Sequence, residues 1–133
     1  MKKHIQVVAA LIFENGKVFA TKRGENKYAY IAYKYEFPGG KIEAGETPEA
    51  ALIRELKEEL DLDVTVGNHY ATETFEYPDF IITLRLYECE MRSQFVLKEH
   101  ESYAWIAAKD LDEREWAPAD AEIVANLRRV FGE

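Results

Sequence analysis

A helix with three carboxylates on one side, entered through a glycine-rich turn, constrains this chain more than any other feature. The turn contains Gly39, Gly40 and Gly45, and the acids are Glu55, Glu58 and Glu59, with Arg54 beside them. Positions 55, 58 and 59 are spaced i, i+3 and i+4, so their side chains converge within one helical turn. Like charges at that spacing destabilise a helix, and one arginine does not neutralise three carboxylates. Hard divalent cations take clusters of oxygen ligands, and Mg²⁺ often shares them with substrate phosphates. Gly39 and Gly40 let backbone groups approach a ligand closely. The segment therefore reads as a loop–helix module that holds metal against phosphate, rather than as a solvated acidic face.

Such a module needs a core to stand on. The chain has 133 residues, 47% hydrophobic and 32% charged, which fits a single domain, 1–133, with an ordinary core. Its net charge of −8 argues against a polymeric nucleic acid as partner. A small polyanion remains compatible, because bound metal changes the sign of the local field. Cys89 is the only cysteine, so neither an intrachain disulfide nor a cysteine zinc site is expected, and a reducing cytoplasm fits. Lys2-Lys3 and the apolar run after them resemble a leader peptide. Gln6 interrupts that run and a Glu14-Asn15-Gly16 turn follows it, so a buried first strand is the expectation. No segment is long enough to span a membrane.

The patterning predicts strands over 4–13 and 17–23, joined through Asn15-Gly16. Residues 24–34 lack periodicity and read as a loop, and 35–37 read as a short strand ending at Pro38-Gly39-Gly40. Thr47 is placed to cap the next helix, with Pro48 in its first turn. That helix is expected to run to about Leu60, burying Ile53, Leu56 and Leu60 opposite the acids. Strands over 63–77, 80–91 and 102–107 follow, then an amphipathic helix over 119–131. The order predicts an α/β (α+β) fold, a mixed central sheet sandwiched between helices.

The residues Gly40-x5-Glu46-x7-Arg54-Glu55-Leu56-x-Glu58-Glu59 resemble the Nudix box, the signature of Nudix hydrolases, and Leu62 satisfies its last aliphatic position. Asp61 stands where the box has glycine, a place of positive φ that Asp tolerates better than most residues. Glu36 to Glu43, Gly45 to Glu49, Thr21-x-Arg23 and Tyr77-Pro78-Asp79 resemble the MutT branch, which hydrolyses oxidised guanine nucleotides. The resemblance implies a Nudix α/β/α sandwich that uses Mg²⁺ or Mn²⁺ to split a nucleoside triphosphate into monophosphate and pyrophosphate. It implies metal ligation by the Gly39 carbonyl, Glu55, Glu58 and Glu59. It further implies that Arg54 orients Glu55, which would also activate water, that Arg23 and Lys41 meet the phosphates, and that Glu46 supports the loop. Lys98-Glu99-His100-Glu101 before Trp105 resembles a later Nudix segment whose glutamate joins the catalytic metal centre. Glu99 is the matching position and Glu101 its competitor. His100, His4 and His69 are not expected to be ligands.

Base recognition falls to Phe80 and Asp120. Asp120 is either a first-turn acid of the last helix or the residue that reads the base. The Ala117-Pro118-Ala119-Asp120 run resembles the CTP pyrophosphohydrolase branch, whereas MutT carries asparagine there. Phe80 follows Pro78-Asp79 where MutT has an arginine, which weakens a strict 8-oxo-guanine assignment. Tyr28, Tyr30 and Tyr33 are either stacking partners or packing residues. The expected substrates are 8-oxo-dGTP-type purine or CTP/dCTP-type pyrimidine nucleotides, hydrolysed by a monomer or homodimer that sanitises the cytoplasmic pool. A non-catalytic nucleotide sensor and a hydrolase of nucleotide sugars are the competing readings.

Overall fold

The computed structural model describes residues 1–132. Strand β1 (Lys3–Leu11) opens the chain, and after it β2 (Phe13–Glu14) and β3 (Lys17–Lys22) form a hairpin. Its turn residues Asn15 and Gly16 have φ of 54° and 75°, the pair of left-handed conformations that Asn-Gly adopts with little strain. Strands β4 (Tyr35–Glu36) and β5 (Gly39–Lys41) lead to helix α1 (Pro48–Leu60). Two long strands, β6 (Val64–Glu76) and β7 (Phe80–Met91), precede β8 (Ser102–Ala107) and helix α2 (Pro118–Phe131).

The central sheet runs β5-β1-β7-β6. It is mixed, because β1 and β7 are parallel while the β1–β5 and β6–β7 pairs are antiparallel. Alternation along β1 shows what it separates. Ala9 and Leu11 pack into one cluster with Ile123, Val124 and Leu127 of α2, and Val8, Ala10 and Ile12 pack into a second with Leu52, Leu56 and Leu60 of α1. Successive side chains of a strand face opposite sides, so one buried strand serves both layers. The result is the expected α/β/α sandwich.

Three details depart from the sequence reading. Gly39 and Gly40 are part of a strand, paired with Ala9 and Val8, rather than of a turn. A second, antiparallel sheet forms around β3, which pairs with β2, β4 and β8. The β2–β3 pairing is the hairpin that Asn15-Gly16 signals, but the β3–β4 and β3–β8 pairings join segments well apart in sequence and leave no local signal. Ile53 is 49% exposed, and Ala51 and Leu52 are buried in its place. The apolar face is set by Leu52, Leu56 and Leu60 at four-residue spacing, and Ile53 lies about 100° around the axis from Leu52.

The ends of α1 follow their local chemistry. The Thr47 hydroxyl accepts the Ala50 N–H at 3.1 Å. Asp61 closes the helix at φ 51°, ψ 36°, its N–H bonded to the Lys57 carbonyl at 3.0 Å. Because Asp pays a penalty there that glycine avoids, Asp61→Gly is expected to raise unfolding free energy by about 0.5–1 kcal/mol. Urea denaturation measures this, and a lower midpoint for the variant contradicts the backbone argument.

Candidate active site

Strand β5 threads between β1 and α1 with no room for side chains. A Cβ on Gly39 would lie 2.0 Å from the Val8 carbonyl oxygen, and one on Gly40 would lie 2.2 Å from Glu55 Oε2. The Glu55 carboxylate therefore rests directly over the Gly40 backbone.

Arg54 fixes that arrangement. Its Nε and one terminal nitrogen donate to the two oxygens of Glu46 at 2.7 and 2.9 Å, a bidentate pair. The same nitrogen donates to the Lys41 carbonyl at 3.1 Å, and the other donates to Glu55 Oε1 at 3.0 Å and Glu58 Oε2 at 3.2 Å. A guanidinium has five N–H donors, and each has an acceptor here. Glu46 also accepts the Glu43 N–H at 2.9 Å. The Arg54 pairing, assisted by that amide, holds the Glu46 carboxyl down at about 2. Arg54 thus binds helix, loop and β5 together.

The three box glutamates separate into two environments. Glu55 and Glu58 share Arg54, and Glu58 is largely exposed. Glu59 is half-buried and, among the described residues, has no salt-bridge partner. Burial pushes its carboxyl up to about 7, with Glu55, Glu36 and Glu99 adding to the rise and His100 opposing it. Glu99 is itself exposed on the segment before β8, and Glu101 is anchored through its N–H to the Lys22 carbonyl at 2.9 Å. Oxygen donors around a surplus of negative charge suit a hard divalent cation. Among the described residues, no three Asp, Glu, His or Cys side chains already stand at metal-binding positions.

Beside these acids lies a cleft of about 470 Å³. Arg23, Lys41, Phe80 and Asp120 all line it, as do Gly39 and Gly40. Tyr28 stands 5.5 Å from Phe80, centroid to centroid, and Tyr77 stands 5.0 Å from it. Tyr30 stacks on Tyr77 at 4.8 Å and donates to Asp79 at 2.6 Å, pinning the 24–34 loop to the β6–β7 turn. Tyr33 is exposed and does not join this wall. Asp120 is 6% exposed, and its Oδ2 accepts the Phe37 N–H at 3.0 Å, so it does not cap its own helix. Burial pushes its carboxyl up to about 8, Glu36 adds to the rise, and the Phe37 N–H and Arg23 oppose it. Two residues that sequence reasoning did not assign to the site also converge here. Glu36 lines the cleft and bonds both Arg23 and His100.

This geometry has close parallels among known proteins. Residues 2–127 match the NUDIX domain, and the chain belongs to the Nudix family of hydrolases. It is 35% identical over 130 residues to the 8-oxo-dGTP diphosphatase of Escherichia coli, covering 96% of this chain and 99% of that one. To the CTP pyrophosphohydrolase of the same organism it is 33% identical over 124 residues, covering 92% and 90%. The solution structure of MutT from methicillin-resistant Staphylococcus aureus superposes with a TM-score of 0.73 at 39% identity, covering 97% of this chain and 98% of that one. No helix among the described residues is long and apolar enough to cross a membrane.

Two outcomes follow from the packing and the buried acid. Gly40→Ala should displace Glu55 while costing about 1–3 kcal/mol of stability, so the variant melts cooperatively but loses most turnover. Gly39→Ala meets backbone and should be the less stable of the two in parallel thermal melts. Asp120 has a folded pKa near 8 against an unfolded value of 3.8, so the folded state holds the extra proton between those values. Its contribution to stability therefore falls as pH rises from about 4 to 8. Asp120→Asn, which keeps an acceptor for Phe37, should gain on the wild type as pH rises through that window. Paired denaturation curves at pH 5 and pH 8 measure the difference, and an unchanged gap refutes it.

Proposed function

We propose that this protein is a metal-dependent nucleoside triphosphate pyrophosphohydrolase, converting an NTP or dNTP and water to the monophosphate and pyrophosphate in the cytoplasmic nucleotide pool. One observation carries this reading. A single cleft is lined by Arg23, Lys41 and the Gly39-Gly40 strand that runs under Glu55, together with Tyr28, Tyr77, Phe80 and the buried Asp120. Its volume suits a small ligand of nucleotide size.

In this reading Arg23 and Lys41 take the phosphates, and Phe80 and Tyr28 stack on the base. Glu55, seated over Gly40 and oriented by Arg54, accepts the proton of the attacking water. The ligands would be the Gly39 carbonyl with Glu55, Glu58, Glu59 and Glu99, the last reached from the segment before β8. Mg²⁺ or Mn²⁺ held there would supply Lewis acidity and screen the phosphate charge. Attack on an internal phosphorus then releases pyrophosphate.

Asp120 reads the base. With Oδ2 committed to Phe37, its other oxygen donates when protonated and accepts when ionised. A donor suits a carbonyl or ring nitrogen, and an acceptor suits an exocyclic amino group. Oxidised purine and cytosine nucleotides both offer such edges, as the names of the two kinds of relative suggest.

Release of monophosphate and pyrophosphate from 8-oxo-dGTP, dGTP, CTP, dCTP and 5-methyl-dCTP, with and without Mg²⁺, tests the assignment. At least one should be hydrolysed only with metal, and inertness towards all five rejects it. Glu55→Gln should lower kcat by about 10²–10⁴-fold with the fold intact. Asp120→Asn should change the ratio of kcat/KM between purine and cytosine substrates, and an unaltered ratio removes Asp120 from base selection.

A further inference from the structure

Glu36 has a position that the chemistry above does not use. It is on β4, whose neighbour β3 runs straight on into Arg23, and β8 flanks β3 on the other side. The segment entering β8 carries His100. Across these three adjacent strands Glu36 Oε2 accepts Arg23 Nε at 3.0 Å, and Glu36 Oε1 faces His100 Nε2 at 3.1 Å. The side chains of His100 and Glu36 are 5% and 18% exposed, whereas that of Arg23 is 48% exposed.

The nitrogen used matters. Glu36 engages Arg23 through Nε, and among the described residues the two terminal nitrogens, with four N–H donors, have no other hydrogen-bond partner, on a side chain that lines the cleft. Arginine recognises phosphate through paired parallel N–H donors. A long side chain held at Nε also loses less freedom when its terminus binds. His100 in turn fixes the carboxylate. Its Nε2 donates to the Glu36 carboxylate, and among the described residues its buried Nδ1 has no partner, so Glu36 is its hydrogen-bond partner there.

We infer that Glu36, braced by His100, is a positioning residue that presents the terminal nitrogens of Arg23 to the substrate's phosphates. The inference rests on the triphosphate reading above and deepens it. Charge-assisted hydrogen bonds exceed neutral ones, so Glu36→Gln should raise KM about five- to tenfold, with kcat changed less than about twofold.

A double-mutant cycle with Arg23→Ala tests it. Each variant is first checked for an unaltered cooperative melt. The cycle is read in steady-state hydrolysis at saturating Mg²⁺, in the Mg²⁺ concentration giving half activation, and in equilibrium binding of an α,β-methylene nucleoside triphosphate. Glu36→Gln should cost affinity in the wild-type background and almost nothing once Arg23 is Ala. His100→Gln, whose amide can donate to Glu36, should keep KM nearer the wild-type value than His100→Ala does. Equal costs in both backgrounds overturn the inference, as does a shifted Mg²⁺ requirement, which makes Glu36 a metal ligand instead. The two readings fail separately. Coupled binding without turnover leaves the inference standing and removes the hydrolase assignment, and turnover with additive variants does the reverse. Absence of analogue binding to the wild type rejects both.

Discussion

Arg54 is the joint on which the site depends. Five donors of one planar group connect a loop carboxylate, a strand carbonyl and two acids of its own helix. Lysine could not replace it, since a point charge with three donors cannot span that fork. The arrangement explains why β5 can lie so close to α1. Helix and strand are drawn together by a cation whose partners belong to both, and Gly40 accepts the resulting contact because it has no side chain. Glu55 inherits its orientation from that contact rather than from its rotamer preference alone.

The cleft has a different electrostatic character from the chain as a whole. The protein carries a net charge of −8, yet Lys3, Arg23, Lys27 and Lys41 line the cleft. The acids there are occupied: Glu36 by Arg23 and His100, Asp79 by the Tyr30 hydroxyl, and Asp120 by the Phe37 amide. An anion entering meets lysines and an arginine terminus, while each of these acids has at least one oxygen already hydrogen-bonded. Local pairing, not net charge, decides what such a surface attracts.

What could be read from the sequence was local. The Asn15-Gly16 turn, the Thr47 cap and the left-handed Asp61 each depend on a few neighbouring residues, and all appear in the structure. Strand β5 and the second sheet depend on partners distant in sequence, and the glycines that make β5 possible looked like a turn. Arg23, Lys41, Phe80 and Asp120 were singled out by resemblance, and they line one cleft. Glu36 heads the MutT-like Glu36 to Glu43 run and His100 reads as a non-ligand, but nothing local signals their pairing, because they meet only where three strands lie side by side. The even convergence expected of Glu55, Glu58 and Glu59 also needed tertiary structure to resolve, since the position of Arg54 leaves Glu59 apart from the other two.

The bond between Asp120 and the Phe37 amide joins two regions that could otherwise vary independently. Phe37 is two residues before Gly39, so the buried acid of the cleft and the backbone beneath Glu55 are tied to one short stretch of chain. The aromatic wall is tied to α2 at one point, where Tyr77 beside Phe80 accepts the Ala119 N–H at 2.9 Å, whereas Tyr28 sits on the 24–34 loop. Substitutions that reshape the cleft through Tyr28 and its loop therefore have a route that leaves Asp120 and the Gly39-Gly40 backbone in place. A route through α2 drags the reaction centre with it. Divergence in what is recognised should accumulate in that loop, while the acid and the glycine backbone are held still by the chemistry they share.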